Sequence, residues 1–175
     1  MGVDYEKICG RILYAYREFR RQVRNGAGMR KRKAMAYCAA LLVQVKNGSR
    51  VSEAIEALRK FCKRKDRVVN VRVRKRKGDV EFRAMILPKE IAIEDLNIIG
   101  EFVDNMTRYR IYQFAKYHFG INTHSLRYAF ITWAAIKRGL ASQIIAKITG
   151  HKNLSHLVHY TQKVKAEEVL KELLL

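Results

Sequence analysis

Four short stretches of this chain carry side chains that bind anions, move protons or attack electrophiles. The run Asn47-Gly48-Ser49-Arg50-Val51-Ser52-Glu53-Ala54 is a turn that delivers an arginine to a helix start. Arg74-Lys75-Arg76-Lys77 is a dense cluster of cations. His124-Ser125-Leu126-Arg127 sets a histidine and an arginine one helical turn apart. Gly150-His151 is followed nine residues later by Tyr160. Each stretch has an ordinary structural use. A histidine and arginine at this spacing can sit on a surface or pair in the core. A Gly-His step can close a helix, a basic hairpin tip can guard a sheet edge, and a tyrosine can simply pack. Their joint occurrence, in this order and spacing, is what singles them out. A guanidinium offers oxyanions a fixed charge and a planar fork, an imidazole exchanges protons near neutrality, and a phenol oxygen can act as a nucleophile.

The elements that position these residues are mostly helical. Tyr5, Ile8, Cys9, Ile12, Tyr16 and Phe19 recur at three- and four-residue steps, which predicts a helix with one buried stripe. Asn25-Gly26-Ala27-Gly28 reads as a turn. Ala34–Val45 is apolar nearly all round and predicts a central buried helix that Asn47-Gly48 ends. A further helix is expected from about Val51 to Cys62, capped near Ser49. Between residues 67 and 87 the period changes to alternation. Val69, Val71 and Val73 interleave with polar residues, as do Val80, Phe82 and Ala84, which predicts a β-hairpin with Arg74–Lys77 at its tip. Pro88 is expected to end the hairpin and open the next helix at its first position. Helices then follow over about 90–105, 107–119, 124–138, 141–149, 153–161 and 164–174. The fold class is mainly α with a small antiparallel β-sheet.

The chain has 175 residues, 36 Lys and Arg against 16 Asp and Glu, and a formal charge of +20. With 49% hydrophobic residues it can bury a real core, so the charge does not signal disorder. Ala34–Val45 is the longest strongly apolar stretch and is too short to span a bilayer. The N-terminus lacks the pattern of a signal peptide. Three widely spaced cysteines, Cys9, Cys38 and Cys62, form neither a disulfide framework nor a zinc knuckle. His151, His156 and His159 have no cysteine or acidic residue close by, so no metal site is expected. The expectation is a reduced, intracellular protein. Its charge is uneven: residues 1–87 hold 24 basic and 8 acidic side chains, residues 88–175 hold 12 and 8. One half therefore reads as a face for a polyanion, nucleic acid first.

Residues 30–165 resemble the catalytic domain of the tyrosine recombinases, the phage-type integrases. Asn47–Ala54 is similar to the family's first-arginine box, departing at Ser49, where leucine is common. His124-Ser125-Leu126-Arg127 matches the HxLR box, Gly150-His151 matches the Gly-His box, and Tyr160 falls at the nucleophile position. The resemblance implies that Tyr160 attacks a DNA phosphate to form a 3′-phosphotyrosyl link and free a 5′-hydroxyl. It implies that Arg50 and Arg127 clamp the non-bridging oxygens as charge builds on them, and that a hairpin lysine is the general acid. Lys77 is the first choice and Lys75 the second. His124 would assist proton transfer at the tyrosine or hold a phosphate oxygen, and His151 would donate a hydrogen bond to the phosphate. With these cations no divalent metal or other cofactor is implied.

The basic clusters then become candidate contacts to the DNA backbone, among them Arg30, Arg32, Arg74, Lys75 and Arg76, which add affinity with little sequence information. Residues 1–29 are too few for the DNA-clamping domain that usually precedes this one, so a single catalytic domain over 1–175 is expected. The amphipathic segment Val164–Leu175 either docks on a neighbouring protomer or packs on its own domain. The implied partners are double-stranded DNA and other copies of the chain, up to a tetramer, with no membrane. The implied setting is the cytoplasm or nucleoid of a prokaryotic host, in the service of a mobile element. Two other readings fit the residues: a type IB topoisomerase-like enzyme, which shares the chemistry but relaxes supercoils, and a non-catalytic basic DNA-binding module.

Overall fold

A computed structural model describes residues 3–73 and 81–151, with positions 166, 169, 170 and 173, which are helical. The hairpin tip with Arg74, Lys75, Arg76 and Lys77, and the segment with His156, His159 and Tyr160, lie outside the described residues. So does most of the expected helical span after residue 152.

Helix α1 (Tyr5–Arg24) starts where the Asp4 carboxylate accepts from the Lys7 amide at 2.8 Å. Its buried stripe is Ile8, Ile12 and Tyr16, as the spacing predicts. Helix α2 (Met29–Asn47) is the axis of the molecule: every residue from Ala34 to Val45 is buried. Alanines at 36, 39 and 40 let neighbouring helices come close. It packs against α1, α3 (Val51–Arg64), α4 (Leu96–Val103), α5 (Arg108–Phe119) and α6 (Thr123–Ile136). Helix α7 (Ser142–Thr149) packs on α6, where Phe130, Ile131, Ala134, Ala135, Ile145 and Ala146 form a second, smaller core. No helix among the described residues is long and apolar enough to cross a membrane.

Strands β1 (Val68–Val73) and β2 (Glu81–Ile86) form the antiparallel pair that the alternation predicts, with Val71 opposite Arg83. The face of β2 is reversed from what its apolar residues suggest. Arg83 and Met85 point into the molecule beside Val71 and Val69, while Phe82 is 60% exposed and Ile86 is also exposed. Residues directly opposite in a pair share a face, so the register to β1's valines dictates the choice. A buried carboxylate, described below, meets the arginine that this register buries.

Two boundaries also differ from expectation. Pro88 does not open a helix. Its carbonyl accepts from the Ile91 amide and from Arg67 Nη1 at 2.8 Å, making a turn. A short 3-10 segment (Ile93–Asp95) follows, and α4 begins only at Leu96. The cause is Asp95, buried and committed to the Tyr16 hydroxyl (2.7 Å) and Arg20 Nε (2.9 Å) on α1. Those bonds tie the chain to α1 before regular helix can start. At the start of α3 the N-cap is Arg50, one residue later than the expected Ser49, which is wholly buried.

Candidate active site

The site forms at the C-terminal end of α2. Gly48 closes that helix in the left-handed region (φ 54°), and a Cβ there would lie 2.3 Å from the Phe130 ring of α6. Only glycine lets the turn pass this close. Gln44, buried near the end of α2, donates through Nε2 to the Thr123 carbonyl at 2.7 Å, which ties the start of α6 to the same corner. Arg50 and His124 are thereby presented at two adjoining helix starts.

Arg127, one turn into α6, is only 2% exposed. Its Nη1 donates to the carbonyls of Gly48 (3.0 Å) and Thr149 (2.7 Å), joining the ends of α2 and α7. Its Nη2 lies 3.0 Å from His151 Nδ1 and 3.2 Å from Nε2. Gly150 ends α7 in the left-handed region (φ 70°) and turns His151 into the site. The Thr149 hydroxyl donates to the Ile145 carbonyl at 2.7 Å, so its oxygen is left to accept from His151 Nδ1 at 2.7 Å. This network assigns the ring proton to Nδ1 and the free lone pair to Nε2, beside Arg127.

Arg50 is exposed, its side chain 42% accessible. Its Nη1 donates to Glu53 Oε1 at 2.9 Å, and its amide donates to Glu53 Oε2 at 3.1 Å. Glu53 is buried and also receives Arg83 Nη2 at 2.8 Å. Arg83 Nη1 reaches on to the Ile148 carbonyl at the end of α7. One carboxylate thus holds the catalytic candidate Arg50, and one arginine of the hairpin holds that carboxylate and the Gly-His turn together.

The electrostatics follow from this crowding. Burial pushes the Glu53 carboxyl up, but Arg83 and Arg50 outweigh it and hold the group below its usual range. Burial, then the charge of Arg50, lowers Arg127 to about 10, so it stays cationic at neutral pH. Burial, then Arg127, Arg50 and His124, lowers His151 to about 4. His124 is lowered too, by burial and then by Arg127 and Arg50. Both rings are neutral at pH 7. Arg50 and Arg83 pair with Glu53, and Arg127 adds a third guanidinium that bonds only carbonyls and His151 among the described residues. The surplus positive charge is suited to an oxyanion.

Of the residues singled out by sequence, Arg50, His124, Arg127 and His151 come together here, from three separate segments: the start of α3, the first turns of α6 and the end of α7. Tyr160, Lys77 and Lys75 lie outside the described residues. Arg30 and Arg32 sit at the far end of α2. There Arg32 pairs with Glu101 while Arg30 lines a separate cleft. Sequence reasoning missed Arg83, Glu53 and Gln44. Glu53 was visible as the acid three residues after Arg50. Arg83 left no signal, because the apolar alternation of β2 pointed to the other face.

No family model matches the chain, and no solved structure matches it. It is 40% identical over 139 residues to "Putative integrase ORF241" of Acidianus two-tailed virus, an alignment covering 79% of this chain and 56% of that protein. It is 35% identical over 169 residues to the uncharacterized protein MJ0770 of Methanocaldococcus jannaschii, covering 81% of this chain and 74% of that one. It is 29% identical over 199 residues to "Putative integrase V10" of Sputnik virophage, covering 96% and 87%. The chain therefore spans little more than half the length of the first of these viral relatives.

Proposed function

The chain belongs to the family of the archaeal protein MJ0770 and is related to two viral proteins that carry integrase names, and from that premise we propose that it is a DNA strand transferase, an integrase that cuts and rejoins duplex DNA through tyrosine. The observation that carries this reading is the gathering of Arg50, His124, Arg127 and His151 at one corner with more cations than carboxylates to balance them.

In this reading a phosphodiester replaces His151 as the acceptor of Arg127 Nη2, and Arg50 grips a second non-bridging oxygen. Fixed donors aimed where charge grows lower the barrier most in a half-buried site. The oxygen of Tyr160 bonds to phosphorus as the phosphorus bond to the 5′-oxygen breaks. The tyrosine proton passes to His124, which burial and then Arg127 and Arg50 keep unprotonated until the phosphate offsets their charge. Lys77 gives its proton to the leaving 5′-oxygen, with Lys75 the second candidate. The product is a 3′-phosphotyrosyl link and a free 5′-hydroxyl, and the reverse sequence rejoins the strand without loss of bond energy to water. The phosphate charge offsets Arg127 and Arg50, so His151 can take a second proton and donate it as a hydrogen bond. Exchange between two duplexes further requires copies of the chain to associate on DNA.

A nicked duplex that traps the covalent step tests the proposal. The chain should form a protein–DNA adduct stable to detergent, and Tyr160→Phe should not. Joining of strands from two different duplexes separates an integrase from an enzyme that only relaxes supercoils. DNA binding with no adduct from the unaltered chain on any site would leave a binding module.

A further inference from the structure

About 25 Å from this corner, at the opposite end of α2, a second feature has no part in the chemistry. The first turn of α2, the end of α1 and the length of α5 enclose a continuous cleft, its two parts about 340 and 370 Å³. Both parts are lined by Lys33, Tyr37, Phe114 and His118. No carboxylate lines either part, and among the described residues none pairs with Arg30, Lys31 or Lys33. Two of these cations already lie over rings: Lys31 Nζ is 5.2 Å from the centre of Phe19 and Lys33 Nζ is 5.6 Å from that of Tyr37.

The floor of the cleft is aromatic and ordered. Tyr37 meets Phe114 edge to face at 5.4 Å, and Phe114 lies 4.2 Å from the His118 ring. Its rim carries Tyr109 and Tyr117, 69% and 79% exposed, on one face of α5 two turns apart. A folding core gains nothing from leaving two large rings in water beside uncompensated cations. A chain of phosphates linked to flat rings matches both features at once. Duplex DNA offers phosphates but keeps its ring faces stacked inside, whereas an unpaired strand offers both.

We propose that this cleft is a second nucleic-acid site that takes unpaired DNA, with bases stacked on Tyr109 and Tyr117 and phosphates held by Arg30, Lys33 and Arg110. The inference rests on DNA as the partner, as above. It adds a place for the strand that a cutting and rejoining reaction leaves without its complement. The surplus cations also press on His118, which burial, then Lys31 and Arg30, holds below its ordinary range.

The test is binding of a labelled thymidine oligomer to the whole chain, beside adduct formation on the nicked duplex. Tyr109→Ala and Tyr117→Ala sit on an exposed helix face and should each weaken oligomer binding about tenfold. Tyr109→Phe and Tyr117→Phe, which keep the ring, should bind as the parent does, and adduct yield should not change in any of the four. Unaltered oligomer binding in the alanine variants would overturn the proposal. So would phenylalanine variants as weak as the alanine ones, since hydroxyls on duplex phosphates would then be the contact. An unaltered chain that binds the oligomer but forms no adduct would count against the strand-transfer reading and leave the cleft standing.

Discussion

The two ends of α2 use positive charge in opposite ways. At the C-terminal end, Arg127 and Arg83 are buried and tied to carbonyls and to Glu53. At the N-terminal end, Lys31 and Lys33 are exposed, rest on ring faces and form no ion pair among the described residues. A buried cation is costly unless its hydrogen bonds are made, so the first set is fixed in place and fold-bearing. The second set is solvated and adaptable, the arrangement expected of backbone contacts that add affinity. Charge density alone therefore does not distinguish a catalytic cation from a binding one. What distinguishes them is the partner on the protein's own side.

The largest effect should come from the catalytic corner. Arg127→Ala strips the donor from the Gly48 and Thr149 carbonyls and leaves the site without its buried cation. It should cut adduct formation by about 10²–10³-fold or more and lower stability by about 3 kcal/mol, read by nicked-substrate capture and by urea unfolding. Arg83→Met comes next. It touches no reacting atom in this account, yet it frees Glu53 and the turn at Ile148. It should cost about 2–3 kcal/mol and lower adduct yield through a misplaced Arg50. A stability loss with unchanged yield per folded molecule would separate Arg83 from the chemistry and narrow the corner to Arg50 and Arg127.

Gly48→Ala probes the turn between them. The added methyl meets the Phe130 ring and the backbone sits at positive φ, so a loss of about 2 kcal/mol is expected. Acid should act most strongly on the same corner, where His151 is shifted furthest, while His118 in the cleft is lowered in the same direction. The unfolded His151 ring takes up a proton near its ordinary value of about 6.5, while the folded ring resists until about 4. Between those values the unfolded chain binds more protons, so stability is present above the upper value and falls as pH drops toward the lower one. After allowance for solvent screening the loss is about 1 kcal/mol, and His151→Gln should flatten that limb of the denaturation midpoint against pH. The smallest effect belongs to the cleft: Arg30→Gln with Lys33→Gln should leave the unfolding midpoint unchanged and lower the salt dependence of DNA binding by about two counterions.

The sequence made most of the scaffold legible because the physics there is local. Three- and four-residue periodicity gave α1, and the all-round apolar run gave α2 as the buried axis. The glycines that end α2 and α7 were readable as stops, and both sit in the left-handed region. Arg50, His124, Arg127 and His151 were legible as motif positions, although nothing local says that they meet. Long-range pairing hid the rest. Arg83 faces inward only because of β1's register, Pro88 fails to start a helix because Asp95 is held by α1, and Gln44 matters only because α6 arrives beside it. These depend on partners from 12 to 79 residues away in the chain, which alternation and capping rules do not see.

The most direct test of the central claim is covalent capture. Incubated with a nicked duplex carrying its target site, the chain should yield a detergent-stable adduct whose linked peptide contains Tyr160, and Tyr160→Phe should yield none. An adduct that survives in Tyr160→Phe, or one mapped to a different residue, would contradict the account.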